Sequence, residues 1–163
     1  EVYTIAYTLS LHDALPILND AVVARGQLSK TIDLHLTLDG DEISKYRADG
    51  LLFATPTGST AYSLSAGGPI LAPKMECILM TPVCPHSLFS RSVLFSGESE
   101  LSVHVKIPEE CCCVLTIDGE KNVPVLATDR VVIRKSDLKL KLALLHNRNF
   151  YKLLNEKLKE RDF

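Results

Sequence analysis

The feature that most limits what this chain can fold into is a series of short segments in which apolar and polar residues alternate, each cut off by a turn signal. In 32–38, Ile32, Leu34, Leu36 and Leu38 alternate with Asp33, His35 and Thr37. Successive strand residues point to opposite faces, so this segment reads as a half-buried strand. Asp39-Gly40 follows, a pair suited to the positive φ angles of a tight hairpin turn, and 42–47 returns as the second strand. The short apolar run 51–54 is expected to be a buried strand. More strands are expected at 77–81, 92–96, 101–106, 114–117, 123–126, 130–134 and 138–144, with turns at Ser96-Gly97, Asp118-Gly119 and Lys135-Ser136-Asp137. Short strands at this spacing predict a mainly β fold, layered like a β-sandwich.

Two stretches break the pattern. The apolar run ends at Thr55-Pro56-Thr57-Gly58, and the small, polar residues 59–65 predict a short helix halted by Gly67-Gly68-Pro69. Near the end, Phe150, Leu153, Leu154 and Leu158 recur at helical spacing with Lys152, Glu156, Lys157 and Lys159 on the other side, so 150–160 predicts an amphipathic helix. Its apolar stripe needs cover, from the chain's own sheet or from a partner domain.

Composition removes several function classes. Hydrophobic residues make up 46% and charged residues 23% of 163, as in an ordinary globular domain. Eighteen Lys and Arg against twenty Asp and Glu leave a formal charge of -2, which argues against nucleic-acid binding by bulk charge. No apolar run approaches the ~20 residues of a membrane-spanning helix. The five cysteines, Cys77, Cys84, Cys111, Cys112 and Cys113, are odd in number and lack metal-ligand spacing. They read as small buried residues of a protein in the reducing cytoplasm.

The N-terminal stretch 7–17, YTLSLHDALPI, resembles a common short-read sequencing adapter translated in one frame. Residues 1–17 are therefore expected to be non-native, and His12 and Asp13 to carry no chemistry, leaving 18–163 as the domain.

The most informative segment is 49–69, DGLLFATPTGSTAYSLSAGGP. A Thr/Gly/Ser loop leading into a helix offers backbone N–H groups and hydroxyls without bulk, which suits a phosphate, a ribose or a base edge. It is not a Walker loop, because the required Lys is missing. The same residues also read as a plain helix cap.

Asp49-Gly50 followed by Thr55-Pro56-Thr57-Gly58-Ser59-Thr60-Ala61-Tyr62 strongly resembles the signature of the NAD kinase family. Leu18-Asn19-Asp20, the segment 81–88 with Arg91, and Ile117-Asp118-Gly119-Glu120 match it in order and spacing. The resemblance covers 18 to about 163 and implies the family's β-rich C-terminal domain. It implies phosphoryl transfer from ATP, or another donor, to the 2'-hydroxyl of the adenosine ribose of NAD, with a divalent metal, usually magnesium, in a homo-oligomer (dimer or tetramer). By position, Asn19 would contact the adenosine part and Asp20 the ribose region. Thr60, Ala61 and Tyr62 would line the pocket, with Thr57 and Ser65 nearby. Asp49 would reach a neighbouring subunit's ligand, His86 lies in the segment approaching from the neighbour, and Asp118 sits in the turn facing the site. The family's Gly-Gly-Asp-Gly motif, whose Asp is the proposed base, does not occur in this sequence. No catalytic residue or metal ligand is therefore assigned here, and the chain alone is expected to be inactive. The alternative is a non-catalytic nucleotide-binding or regulatory β-domain.

Overall fold

The computed structural model describes residues 2–3, 7–10, 14–26, 31–87, 90–106, 112–138, 140–141 and 149–159. In chain order the strands are β1 (Val2–Tyr3), β2 (Tyr7–Ser10), β3 (Ala14–Ile17), β4 (Asp20–Arg25), β5 (Ile32–Leu38), β6 (Asp41–Ala48) and β7 (Gly50–Ala54). A 3-10 turn (Thr57–Thr60) and a one-turn helix α1 (Tyr62–Ser65) follow, then β8 (Cys77–Val83), β9 (Val93–Ser96), β10 (Leu101–Lys106), β11 (Cys113–Ile117), β12 (Lys121–Val125), β13 (Arg130–Lys135), β14 (Leu140–Lys141) and helix α2 (Phe150–Lys159). Two six-stranded antiparallel sheets form, ordered β3-β2-β13-β10-β5-β6 and β12-β11-β4-β7-β8-β9, with β1 and β14 paired separately.

The alternation in β5 does what its pattern demands. Leu34 and Leu36 are fully buried while Asp33 and His35 face outward, and Asp39 and Gly40 take φ values of 50° and 95°, the left-handed pair of a two-residue hairpin. Leu34, Leu36, Val103 and Ile133 of this sheet meet Val23, Phe53, Met80 and Leu115 of the other, forming the sandwich core. The second sheet is buried on both faces at its centre. On its far side Val22, Leu52, Ala54 and Leu79 pack with Leu71, which belongs to the segment following α1. Every residue of β7 is therefore buried, as its unbroken apolar run requires.

Several boundaries differ from the sequence reading. β8 runs on to Val83 through Pro82, which lies beyond the last β8–β9 pair at Met80, where the strand has one neighbour only. β12 starts at Lys121, a polar beginning without an alternation signal. The expected helix over 59–65 is split, because Ala61 takes a backbone that is neither helical nor extended (φ -92°, ψ -129°) between the 3-10 turn and α1. Of the expected strand 138–144, Leu140–Lys141 is a strand, while 142–144 lie outside the described residues. His12, Asp13, Leu88, Cys111 and Glu160 also lie outside them. In 7–17, β2 pairs with β13 and β3 with β2, and Ile17 is buried in the main core.

Helix α2 is capped by Asn149, whose side-chain oxygen accepts the N–H groups of Tyr151 (2.9 Å) and Lys152 (3.4 Å). None of its described residues is fully buried. No helix among the described residues is long and apolar enough to cross a membrane.

Cys77 and Cys113 are buried, whereas Cys84 and Cys112 are exposed. Burial pushes the Cys113 thiol up to about 12 and also raises Cys77, and a thiol held protonated is a poor nucleophile. A maleimide reagent at neutral pH is expected to label Cys84 and Cys112 at least about tenfold faster than Cys77 and Cys113. Peptide mass mapping of the folded chain checks this, and comparable labelling of Cys113 would contradict it.

Candidate functional site

The loop after β7 is built by internal contacts. The Thr55 hydroxyl donates to the Leu18 carbonyl (2.8 Å) and accepts the Gly58 N–H (3.0 Å). Ser59 Oγ donates to the Pro56 carbonyl (2.7 Å) and accepts the Leu71 N–H (3.0 Å). Ser63 and Thr81 share a hydroxyl contact of 3.0 Å. Thr55, Ser59 and Ser63 are fully buried. Much of the hydroxyl content that made the sequence look ready for a ligand therefore holds the loop in shape.

That shape lays the loop against the turn preceding β4. A Cβ built on Gly58 would stand 1.9 Å from the Asn19 carbonyl oxygen, a separation that no side chain fits. The close approach puts Ala61 and Tyr62 opposite Asn19 and Asp20 across a cleft of about 480 Å³, which Val22, Ala24, Thr116, Asp118 and Gly119 complete. This is the size range of small-ligand sites. Tyr62 is 48% exposed, presenting its ring at the rim. The Asn19 side-chain amide has no hydrogen-bond partner among the described residues, so it can pair with a ligand edge.

Asp20 and Asp118 form the acidic floor. Burial pushes the Asp20 carboxyl above its ordinary value, the Asp118 charge pushes the same way, and the Tyr62 backbone N–H, donating to it, opposes both. The folded state then holds this proton more tightly than the unfolded chain. Stability falls as pH rises from the ordinary value of 3.8 through the raised one, and the deficit persists at neutral pH. Asp20→Asn keeps an acceptor for the Tyr62 N–H. It is expected to raise Tm at neutral pH, with the gain shrinking to nothing in acid; thermal melts across that range check it, and an unchanged Tm at neutral pH would contradict it.

The remaining sequence candidates lie elsewhere. Thr60 lines a separate apolar cleft of about 240 Å³ between α1 and α2, with Leu64, Phe150, Leu153, Leu154, Lys157 and Leu158. Thr57 and Ser65 line neither cleft. Asp49 sits just before β7, where Ala24 pairs with Gly50, while Asp20 pairs with Ala54 at the opposite end. Five residues of strand separate the two ends, roughly 17 Å. At Asp49, Arg25 grips both carboxylate oxygens at 3.0 Å. His86 belongs to this far end too, its N–H donating to the Arg47 carbonyl.

Sequence reasoning passed over Val22, Ala24, Thr116 and Thr55. Val22 and Ala24 share the period-two face of β4 that starts at Asp20, a signal readable once β4 is known to be covered on both sides. Thr116 alternates out of the core between Leu115 and Ile117 in the same way.

Fold and cleft together define a two-layered antiparallel β-sandwich domain with a ligand-sized cleft at one end of its doubly covered sheet. The family model described as the ATP-NAD kinase C-terminal domain matches residues 18–145. The NAD kinases of Magnetococcus marinus and Carboxydothermus hydrogenoformans are each 42% identical to the chain, over 142 and 143 residues, covering 87% and 88% of it and 46% and 51% of themselves. Among solved structures, an NAD kinase from Archaeoglobus fulgidus in complex with ATP superposes with a TM-score of 0.83 at 28% identity, over 98% of this chain and 60% of that one. Yeast NADH kinase complexed with NADH gives 0.74 at 30% identity, over 97% and 48%. The chain belongs to the NAD kinase family and carries its C-terminal domain. It spans about half the length of the curated relatives it matches.

Proposed function

We propose that this chain supplies the dinucleotide-binding half of an NAD kinase, a cytoplasmic homo-oligomer that transfers a phosphoryl group from ATP or another donor to the 2'-hydroxyl of the adenosine ribose of NAD. The observation that carries the reading is the juxtaposition of Asn19, Asp20, Ala61, Tyr62 and Asp118 around one cleft from three separate segments of chain. In this reading the free Asn19 amide pairs with the adenosine end, and the Tyr62 ring offers an apolar face with a polar tip. Asp20, buried and held by the Tyr62 N–H, fixes the loop beside the ribose. Asp49 and His86, remote from this cleft, serve the site of a neighbouring copy.

Magnesium is the metal the family implies. The described residues do not fit it: no cluster of three or more His, Cys, Asp or Glu stands ready to hold a cation. Asp118 and Asp20, the acidic pair nearest the cleft, are occupied by backbone N–H groups. No step is therefore routed through a metal on these residues.

Titration of NAD into the chain tests the reading. Tyr62→Ala is expected to weaken binding by roughly five- to tenfold, while Thr60→Ala, altering a residue of the other cleft, leaves it within about twofold. Equal affinity of wild type and Tyr62→Ala would reject the assigned cleft. With ATP, magnesium and NAD supplied, the 163-residue chain is expected to form no NADP, since it carries no Gly-Gly-Asp-Gly carboxylate to orient the sugar hydroxyl. Steady NADP formation would overturn that expectation. Residues 1–17 are read as adapter-derived, and the same codons in an independently amplified gene would refute it.

A further inference from the structure

The turn that carries Asn19 and Asp20 into the cleft is held entirely by distant residues. Asp118 takes three of its N–H groups on one carboxylate: Oδ2 accepts from Leu18 at 3.0 Å, and Oδ1 accepts from Asn19 at 2.7 Å and Asp20 at 3.1 Å. The Asp118 N–H donates back to the Asp20 carbonyl at 2.9 Å. From the other side, the Thr55 hydroxyl donates to the Leu18 carbonyl at 2.8 Å and the Thr55 N–H to the Asn19 carbonyl at 2.9 Å. All six backbone polar groups of Leu18, Asn19 and Asp20 are thus tied to two residues, Asp118 and Thr55.

A carboxylate that accepts three N–H groups has most of its accepting capacity engaged and little left for ligand hydroxyls. Bonds between charged acceptors and N–H donors are among the stronger ones, so the backbone they hold is well fixed. The Asn19 side chain, by contrast, is left without a partner among the described residues. Asp118 reaches its place from a left-handed backbone, φ 49°, in the turn between β11 and β12. Backbone clamped, side chain free: this is how a reading residue is presented in a fixed pose.

We propose that Asp118 and Thr55 are positioning residues that set the Leu18–Asp20 backbone so that the Asn19 amide reads the adenosine end of the dinucleotide, Asp118 itself making no ligand contact. The proposal rests on the cleft being the dinucleotide site. It changes what the cleft's specificity depends on, which becomes a hydrogen-bonded scaffold spanning about a hundred residues of sequence.

The test uses the full chain with Asp118→Asn, Thr55→Val, Thr55→Ser, Asn19→Ala and the Asp118→Asn/Asn19→Ala double variant. It reads two quantities: amide hydrogen exchange, and affinity for NAD and for nicotinamide hypoxanthine dinucleotide, which differs from NAD at the purine edge. Asp118→Asn keeps one accepting oxygen but turns an amide NH₂ toward at least one of the three backbone donors and removes the charge that strengthens the rest. It is expected to speed exchange at Leu18, Asn19 and Asp20 by about tenfold or more while core amides of β5 and β10 keep their rates. NAD affinity should fall about tenfold, and the preference for NAD over the hypoxanthine dinucleotide should shrink to that of Asn19→Ala, a change that a general loss of stability would not produce. Thr55→Val should act likewise and Thr55→Ser recover the wild-type values within about twofold. The double variant should bind NAD within about twofold of Asn19→Ala, because residues acting through one group are not additive. If the two losses multiply, Asp118 touches the ligand and the proposal falls. If the three amides exchange as in wild type, the clamp itself is wrong. If Asn19→Ala leaves NAD affinity and preference intact while the amides respond to Asp118→Asn, the cleft assignment has failed and takes this inference with it, leaving only a structural clamp.

Discussion

Gly58→Ala is expected to destabilise the chain by about 3 kcal/mol or more and to abolish measurable dinucleotide binding at concentrations that saturate the wild type. The added methyl would stand 1.9 Å from the Asn19 carbonyl oxygen and 2.4 Å from its carbon, both backbone atoms that no rotamer change can move aside. Relief requires the 55–58 loop to withdraw from the Leu18–Asp20 turn. That withdrawal stretches the bond from the Thr55 N–H to the Asn19 carbonyl (2.9 Å) and the Thr55 hydroxyl bond to Leu18 (2.8 Å), leaving buried groups without partners. For a domain of this size, the loss corresponds to a Tm lower by roughly 6–12 °C. Urea unfolding and NAD titration of the variant check the two effects. A variant that melts with the wild type would show that the loop and the turn are not in contact.

Leu115→Ala tests the face of β11 that is turned away from the cleft. Leu115 is fully buried in the sandwich core from the middle of β11, while its neighbour Thr116 faces the cleft. Truncation leaves a cavity between two sheets pinned by long ladders, and substitutions of this type cost about 2–5 kcal/mol. Tm should drop by roughly 10 °C. At a temperature where the variant is still folded, NAD affinity should stay within about twofold of wild type. A large stability loss with intact affinity separates core from cleft along a single strand. A large affinity loss without a stability loss would mean that the assignment of faces on β11 is inverted.

How legible these features were depended on whether the interaction was local. The β5–β6 hairpin could be read because one face is wet and because Asp39-Gly40 leaves little choice of turn. The buried character of β7 was likewise visible in an unbroken apolar run. What covers its outer face was not, since Leu71 arrives from beyond α1. In the candidate site, the family resemblance pointed to Asn19, Asp20, Ala61, Tyr62 and Asp118, and the fold gathers those five into one cleft. It also named Thr60, which lines the other cleft, because the irregular backbone at Ala61 turns successive residues toward different clefts. Thr55 and the clamping role of Asp118 left no local trace, as the Asp118 bonds span 98 to 100 residues and those of Thr55 to Leu18 span 37.

Among the described residues both large sheets are open, so β3, β6, β9 and β12 each have an unpaired side there. Three carry a deterrent. β3 and β12 contain Pro16 and Pro124, which cannot donate to an added strand, and β6 carries Glu42, Lys45 and Arg47. β9, Val-Leu-Phe-Ser, has neither a charge nor a proline, and Val93 and Leu94 are exposed at 37% and 46%. Self-association of the folded chain should therefore nucleate by strand addition at this edge. Leu94→Lys would slow the growth of light scattering at high concentration, whereas an equivalent charge added to β12 would change it little.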